Sequence, residues 1–217
     1  MQSTQFEAVI FDMDGVIVDS EPLHEQSFLD VWDELGYREN HGIHFPDFYG
    51  RSDRVVWEAF IEKHNPTPAI EELIGLREER LIRMLREQEP LFDGVTDLIQ
   101  RLAKRYPLGL ASGSIHRVID EVLAMQNLRS YFKDVTSSED VSKPKPAPEI
   151  FLLSAKRLGV PPEKCCVIED TVNGIKAAKA AEMTVIAIPN TFDSSTLMVA
   201  GADLICDDYS QIESKTL

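Results

Sequence analysis

Residues 6–15 read FEAVIFDMDG, an apolar run from Phe6 to Phe11 that stops at Asp12, Met13, Asp14 and Gly15. A run of this length without polar alternation suits a strand buried on both faces of a parallel sheet. The pattern recurs along the chain. Leu108 to Ser112 (LGLAS) runs into Gly113 and Ser114, Cys165 to Ile168 (CCVI) runs into Glu169 and Asp170, and Val185 to Ile188 (VIAI) and Ala202 to Cys206 (ADLIC) follow. Helical patterns lie between them. Leu98, Ile99 and Leu102 share a face within 95–105, and Val118, Ile119, Val122 and Leu123 do so within 118–125. Residues 149–158 follow a Pro-rich start, and 171–181 are rich in Ala and Lys. This alternation predicts an α/β protein with a doubly wound, mainly parallel sheet.

The stretch 18–89 breaks the alternation. It carries amphipathic patterns at 22–35, 54–63 and 71–87 and no convincing buried strand. So long an interruption is unusual for a loop and reads as an inserted helical cap over an active site. The expected organisation is a Rossmann-like core from 1–17 and 90–217, with a cap from 18–89. Trp57 and Phe60 read as cap core.

The chain has 217 residues, with 22 Lys and Arg against 37 Asp and Glu, for a formal net charge of −15. Such a balance disfavours nucleic acid and anionic membrane as partners, since both attract basic surfaces. It does not exclude a small anionic ligand, because a local site can oppose the global field. No apolar run approaches the roughly 18 residues of a membrane-spanning helix. Residues 1–7 lack the basic and apolar regions of a secretory signal. Cys165, Cys166 and Cys206 match neither a disulfide framework nor a zinc spacing, and read as buried thiols in a reducing cytoplasm.

In open α/β sheets, ligands bind beyond the carboxyl ends of the strands. The apolar runs deliver Asp12 and Asp14, then Ser112, Gly113 and Ser114, then Glu169 and Asp170 to that edge. Lys145, in Lys143-Pro144-Lys145-Pro146, can reach the same place. Converging carboxylates repel one another, and a hard divalent cation is the simplest remedy. Mg²⁺ prefers oxygen ligands and is usually held by one or two carboxylates plus substrate phosphate, which points to phosphoryl transfer. A sharp turn beginning at Asp12, eased by Gly15, would let both Asp side chains approach a substrate while the Asp14 carbonyl faces the metal.

Taken together, FDMDGVIVDSEP, LASGS, KPAPEIF and IEDTVNGIKAAKAA resemble the four motifs of the haloacid dehalogenase-like hydrolases. They are most similar to the subgroup of sugar-phosphate phosphatases and beta-phosphoglucomutase. The match covers nearly the whole chain in the right order. The second Asp of the DxD pattern separates it from the dehalogenases proper.

The resemblance implies a Mg²⁺-dependent phosphatase acting on a small phosphorylated metabolite, with Asp12 as nucleophile and Asp14 as general acid and base. It implies a metal site from Asp12, the Asp14 carbonyl, Glu169 and Asp170. It implies phosphate binding by Ser112 and Lys145, aided by backbone N–H groups of Met13, Asp14 and Gly113. In the cap, His24, Arg51 and Arg77 are the candidate substrate contacts, although a helix bearing EER around Arg77 also reads as a solvated face. A monomer is the default for this cap type. Hinges are expected near 16–21 and 87–93, with closure excluding bulk water.

Two departures bear on function and strain. Ile115 stands where beta-phosphoglucomutase carries a phosphate-contacting Lys, which weakens the alternative of a hexose-phosphate mutase. Glu182 replaces the usual Gly after the Ala-rich helix, where a positive φ would strain it. A phospho-accepting receiver module is the alternative from another class; the second Asp and the insertion argue against it.

Overall fold

The computed structural model describes residues 6–48 and 52–212. Met1–Asp19 with Pro90–Leu217 forms one compact unit, and Ser20–Glu89 forms another. Val18 bridges to Asp14 and to Leu91, and the Asp19 N–H donates to the Pro90 carbonyl at 2.8 Å, which ties these two residues to the larger unit.

The larger unit is built on a six-stranded sheet of β1 (Ala8–Phe11), β2 (Leu108–Ala111), β3 (Phe132–Thr136), β4 (Cys165–Glu169), β5 (Thr184–Ala187) and β6 (Leu204–Ile205). Every pairing is parallel, and the spatial order is β3-β2-β1-β4-β5-β6. Every residue of β1, β2 and β4 is buried, as their uninterrupted apolar runs require. The chain winds outward from β1 through β2 to β3, then returns to place β4 on the other side of β1. The β1/β4 junction is therefore the topological switch point, where ligands bind in folds of this kind.

The helices in chain order are α1 (Glu21–Glu34), α2 (Asp53–His64), α3 (Ile70–Gln88), α4 (Val95–Ala103), α5 (His116–Ala124), α6 (Glu149–Leu158), α7 (Val172–Ala180) and α8 (Ser194–Ala200). No described helix is long and apolar enough to cross a membrane.

Two elements had no apolar run or helical stripe to announce them. β3 is an edge strand whose buried positions include Asp134 and Thr136. Asp134 is tolerated there because it accepts from Thr136 Oγ1 at 2.8 Å and Ser154 Oγ at 2.7 Å. α8 has a single buried residue, Leu197, and is fixed at its start by the Asp193 side chain, which accepts from the Thr196 N–H. Glu182 does adopt a positive φ, of 62°, where the chain leaves α7.

In the smaller unit, α1, α2 and α3 enclose an aromatic core. Trp32 stacks on Phe60 with centroids 5.2 Å apart and meets Trp57 edge-on at 5.9 Å. Trp57 and Phe60 are fully buried, as expected of cap core.

Candidate active site

Asp12 follows β1, Glu169 ends β4 and Asp170 follows it, so the switch point sets three carboxylates side by side. Each offers an oxygen within 4.8 Å of those of the other two, and all three residues are buried. The Asp12 N–H extends the sheet ladder by donating to the Ile168 carbonyl at 2.9 Å.

Lys145 reaches this cluster from the segment before α6. Its Nζ donates to Asp12 Oδ1 at 2.6 Å and to Glu169 Oε1 at 2.8 Å, and lies 4.8 Å from the centre of the Phe151 ring. Lys143, by contrast, is exposed, and its backbone N–H donates to Glu149. Burial alone would lower the Lys145 pKa, but Asp12 and Glu169 outweigh it and hold the ammonium above the usual lysine range. Burial pushes the Asp12 carboxyl up to about 7, against the pull of Lys145 and with Glu169 and Asp14 adding to the rise. Burial and the neighbouring Glu169 and Asp12 charges likewise raise Asp170 well above the carboxylate range. One lysine does not balance the cluster.

The two oxygens of each motif carboxylate are unequally used. Glu169 Oε2 accepts from the N–H of Asp170 and of Thr171, both at 2.8 Å, and from Thr171 Oγ1 at 2.9 Å. Thr171 also caps α7, accepting from the Gly174 N–H. Asp170 Oδ2 accepts from Thr191 Oγ1, while its buried Oδ1 has no hydrogen-bond partner. An ionised oxygen stripped of water and left without a donor is costly. A cation at that oxygen would offset the cost, and an all-oxygen donor set fits Mg²⁺.

The chain turns sharply after Asp12. The N–H groups of Val16, Ile17 and Val18 converge on the Met13 carbonyl, and Gly15 sits at φ 76°. A Cβ at Gly15 would lie 1.9 Å from Asp170 Oδ2, so the close approach of this turn to the carboxylates requires glycine. The turn brings Asp14 to the second motif: Asp14 Oδ2 accepts from Ser114 Oγ at 2.9 Å and lies 3.4 Å from Ser112 Oγ. Ser112 is fully buried at the end of β2, and its Oγ accepts from the Ser114 N–H at 3.0 Å. Gly113 between them is exposed.

In the smaller unit, His24 on α1 and Arg77 on α3 are joined. The Arg77 guanidinium donates to His24 Nδ1 and to Asp53, and lies 4.8 Å from the centre of the Phe28 ring. Since Arg can only donate, the His24 ring proton belongs on Nε2. Arg77 is 1% exposed, so it is not part of a solvated face, and its Nε has no partner. Arg51 lies outside the described residues.

Four participants had escaped the sequence reading. Asp53 opens a helix among many acids and has no motif around it. Asn190 and Thr191 lie just beyond β5, next in the sheet to β4, so the carboxyl-edge rule applied to that run would have found them. Tyr209, near the end of the described chain, reaches the turn after Asp12 from too far along the sequence for any spacing to reveal.

Comparisons with known proteins bear on the family of the chain. The family model for haloacid dehalogenase-like hydrolases matches residues 6–182. Hexitol phosphatase B of Escherichia coli K12 is 35% identical over 216 residues, covering 98% of this chain and 97% of its own. Fructose-1-phosphate phosphatase YqaB of the same organism is 32% identical, covering 85% of this chain and 97% of its own. Among solved structures, beta-phosphoglucomutase from Clostridium difficile superposes with a TM-score of 0.77 at 28% identity, covering 95% of this chain and 93% of that one.

Proposed function

The chain belongs to the haloacid dehalogenase-like hydrolases and is an enzyme of their phosphatase type; within that family we propose a Mg²⁺-dependent phosphatase that hydrolyses a small phosphomonoester, a sugar or sugar-alcohol phosphate, through an aspartyl phosphate. The observation that carries this reading is the buried, partnerless Asp170 Oδ1 beside Asp12 and Lys145. Asp12, Asp170 and the Asp14 carbonyl would hold the metal. Glu169, both of whose oxygens are engaged, adds charge to the site. When bound, Mg²⁺ neutralises charge on the phosphoryl group and the carboxylates.

Asp12 attacks phosphorus through a carboxylate oxygen, the ester P–O bond breaks, and Asp14 gives its proton to the departing alkoxide. Water then yields a proton to Asp14 and attacks the aspartyl phosphate. The bond from phosphorus to Asp12 breaks, inorganic phosphate leaves, and the Asp12 carboxylate is restored. Lys145 and Ser112, with the backbone N–H groups of Met13, Asp14 and Gly113, bind the phosphoryl oxygens, so that the work is positioning and charge stabilisation.

The proposed substrate class is supported by the relatives, whose names are those of hexitol and fructose 1-phosphate phosphatases. Of the cap candidates, His24 keeps some exposure and is the one described residue proposed to meet substrate; Arg77, 1% exposed and bonded to His24 and Asp53, would act through His24, and Arg51 stands as a sequence-based expectation. The buried thiols of Cys165, Cys166 and Cys206 suit a reducing, cytoplasmic setting.

The test is phosphate release from p-nitrophenyl phosphate and from a panel of hexose and hexitol phosphates. Activity is expected to need Mg²⁺ and to vanish in Asp12→Asn. Full activity in that variant, or in excess chelator, would sink the reading. The beta-phosphoglucomutase neighbour supports a second one, a hexose-phosphate mutase, which Ile115 disfavours by supplying no cation for a second phosphate. Isomerised product that depends on a bisphosphate activator, without free phosphate, would favour the mutase.

A further inference from the structure

The family match ends at residue 182, yet the segment beyond it reaches back into the site. Thr191 Oγ1 donates to Asp170 Oδ2. Its neighbour Asn190 donates through Nδ2 to the Gly15 carbonyl at 2.8 Å and to Tyr209 Oη at 3.3 Å. Tyr209 Oη in turn donates to the Val16 carbonyl at 2.6 Å. Tyr209 is buried, and burial pushes its pKa up, so its hydroxyl keeps the proton that it donates. The directions are consistent around the whole chain of bonds: the amide supplies two hydrogens, the phenol accepts one and gives one, and each carbonyl accepts.

We propose that Thr191 is a positioning residue for the metal ligand Asp170. A carboxylate can rotate about its last torsion and present either oxygen, or neither, to a cation. A single hydroxyl donor on Oδ2 fixes the plane and satisfies that oxygen, leaving Oδ1, buried and without a hydrogen-bond partner, free to take a cation. Thr191 cannot drift from this task, because Asn190 is tied to the Gly15 carbonyl and to Tyr209. Gly15 also packs so closely that a Cβ there would lie 2.9 Å from Thr191 Oγ1. The same short segment therefore registers the turn after the nucleophile against the carboxylate that follows β4. Partners of metal ligands act in this way, and their loss weakens metal binding without removing a ligand.

The inference rests on the reading of Asp170 as a metal ligand. It is tested by titrating Mn²⁺ into the full-length protein without substrate and counting free Mn²⁺ by electron paramagnetic resonance. Thr191→Val keeps the shape and removes the hydroxyl; Thr191→Ser keeps the hydroxyl. The expected result is about a tenfold loss of Mn²⁺ affinity in the Val variant and a return to within about twofold of the native value in the Ser variant. The melting temperature in chelator separates this loss from a loss of fold. Native affinity in Thr191→Val, or equal weakness in Val and Ser variants, overturns the proposal. Should Thr191→Val not fold, Thr191→Ala and Thr191→Ser are compared in the same way: tighter binding by Ser supports it, and equal binding overturns it. A native protein that binds no Mn²⁺ would instead overturn the metal-site reading, and this inference with it.

Discussion

Gly174, in the first turn of α7, lies so close to the Glu169 side chain that a Cβ built on it would sit 1.5 Å from Oε1. Gly in a helix ordinarily costs about 1 kcal/mol relative to Ala, so replacement by Ala would stabilise most helices. Here the sign reverses. Glu169 is fully buried and cannot move aside cheaply, because Lys145 holds Oε1 and three donors hold Oε2. Gly174→Ala is expected to cost about 1–3 kcal/mol by overpacking and to reduce phosphatase activity by displacing Glu169 and Lys145. Denaturant unfolding and a rate assay on the same preparation check both. A stabilised variant would mean that Glu169 has room to retreat.

Lys145 is the one cation bonded directly to the Asp12–Glu169 pair among the described residues. Removing one partner of a buried ion pair leaves the others uncompensated, at a cost of about 3–5 kcal/mol. Lys145→Ala should therefore be strongly destabilised in chelator, and Mg²⁺ should recover part of the loss by supplying replacement charge. Activity should stay low even in saturating Mg²⁺, since the proposed phosphate contact would be gone. Urea denaturation with and without Mg²⁺ measures the interaction. Equal destabilisation in both conditions would argue that no metal binds beside Lys145.

The sheet core and the carboxylate cluster were legible because both are written in contiguous apolar runs and the residues that end them. The runs ending in acids brought Asp12, Glu169 and Asp170 to one edge, while the pairing of β1 with β4 that makes the switch point came from the structure. β3 was not legible, since its buried face holds Asp134 and Thr136, and that burial depends on Thr136 together with Ser154 and Arg157, both distant in sequence. Arg77 was misleading for the opposite reason. Its local sequence has the charge pattern of a solvated helix face, while Asp53 and His24, both distant in sequence, bury it. Periodicity records what one element presents to its surroundings, not which distant side chain will neutralise it.

Asp140 ties the segment after β3 to α5 and α6. It accepts from Arg157 at 3.2 Å and from the Ser137 N–H at 2.9 Å, and faces His116 Nε2 at 3.1 Å. The hydrogen bond from Arg157 is the largest cause; burial opposes it, and the Ser137 N–H and His116 contacts add to the fall, which takes the pKa from 3.8 to about 2. A depressed folded pKa stabilises the fold above the unfolded value near 3.8, and that contribution fades as pH falls towards 2. Asp140→Asn should accordingly melt below the native protein at pH 5, with the gap narrowing between pH 4 and pH 3. Thermal melts across that range test it. A gap that stays constant would show that the carboxylate charge does not carry the contribution.

Ser114 donates to Asp14 Oδ2 at 2.9 Å, a shorter contact than the 3.4 Å from Ser112. If Asp14 is the proton donor and acceptor, Ser114 fixes the rotamer from which it works, while Ser112 is committed to the phosphoryl group. The two serines should then fail differently. Ser114→Ala removes one hydrogen bond to a carboxylate, worth about 1–2 kcal/mol, and should lower kcat by about five- to thirtyfold with little change in KM. Ser112→Ala should raise KM as well, because a phosphate contact is lost in the ground state. Steady-state kinetics on p-nitrophenyl phosphate separates them. The same KM increase in both variants would place Ser114 on the phosphate and remove it from the control of Asp14.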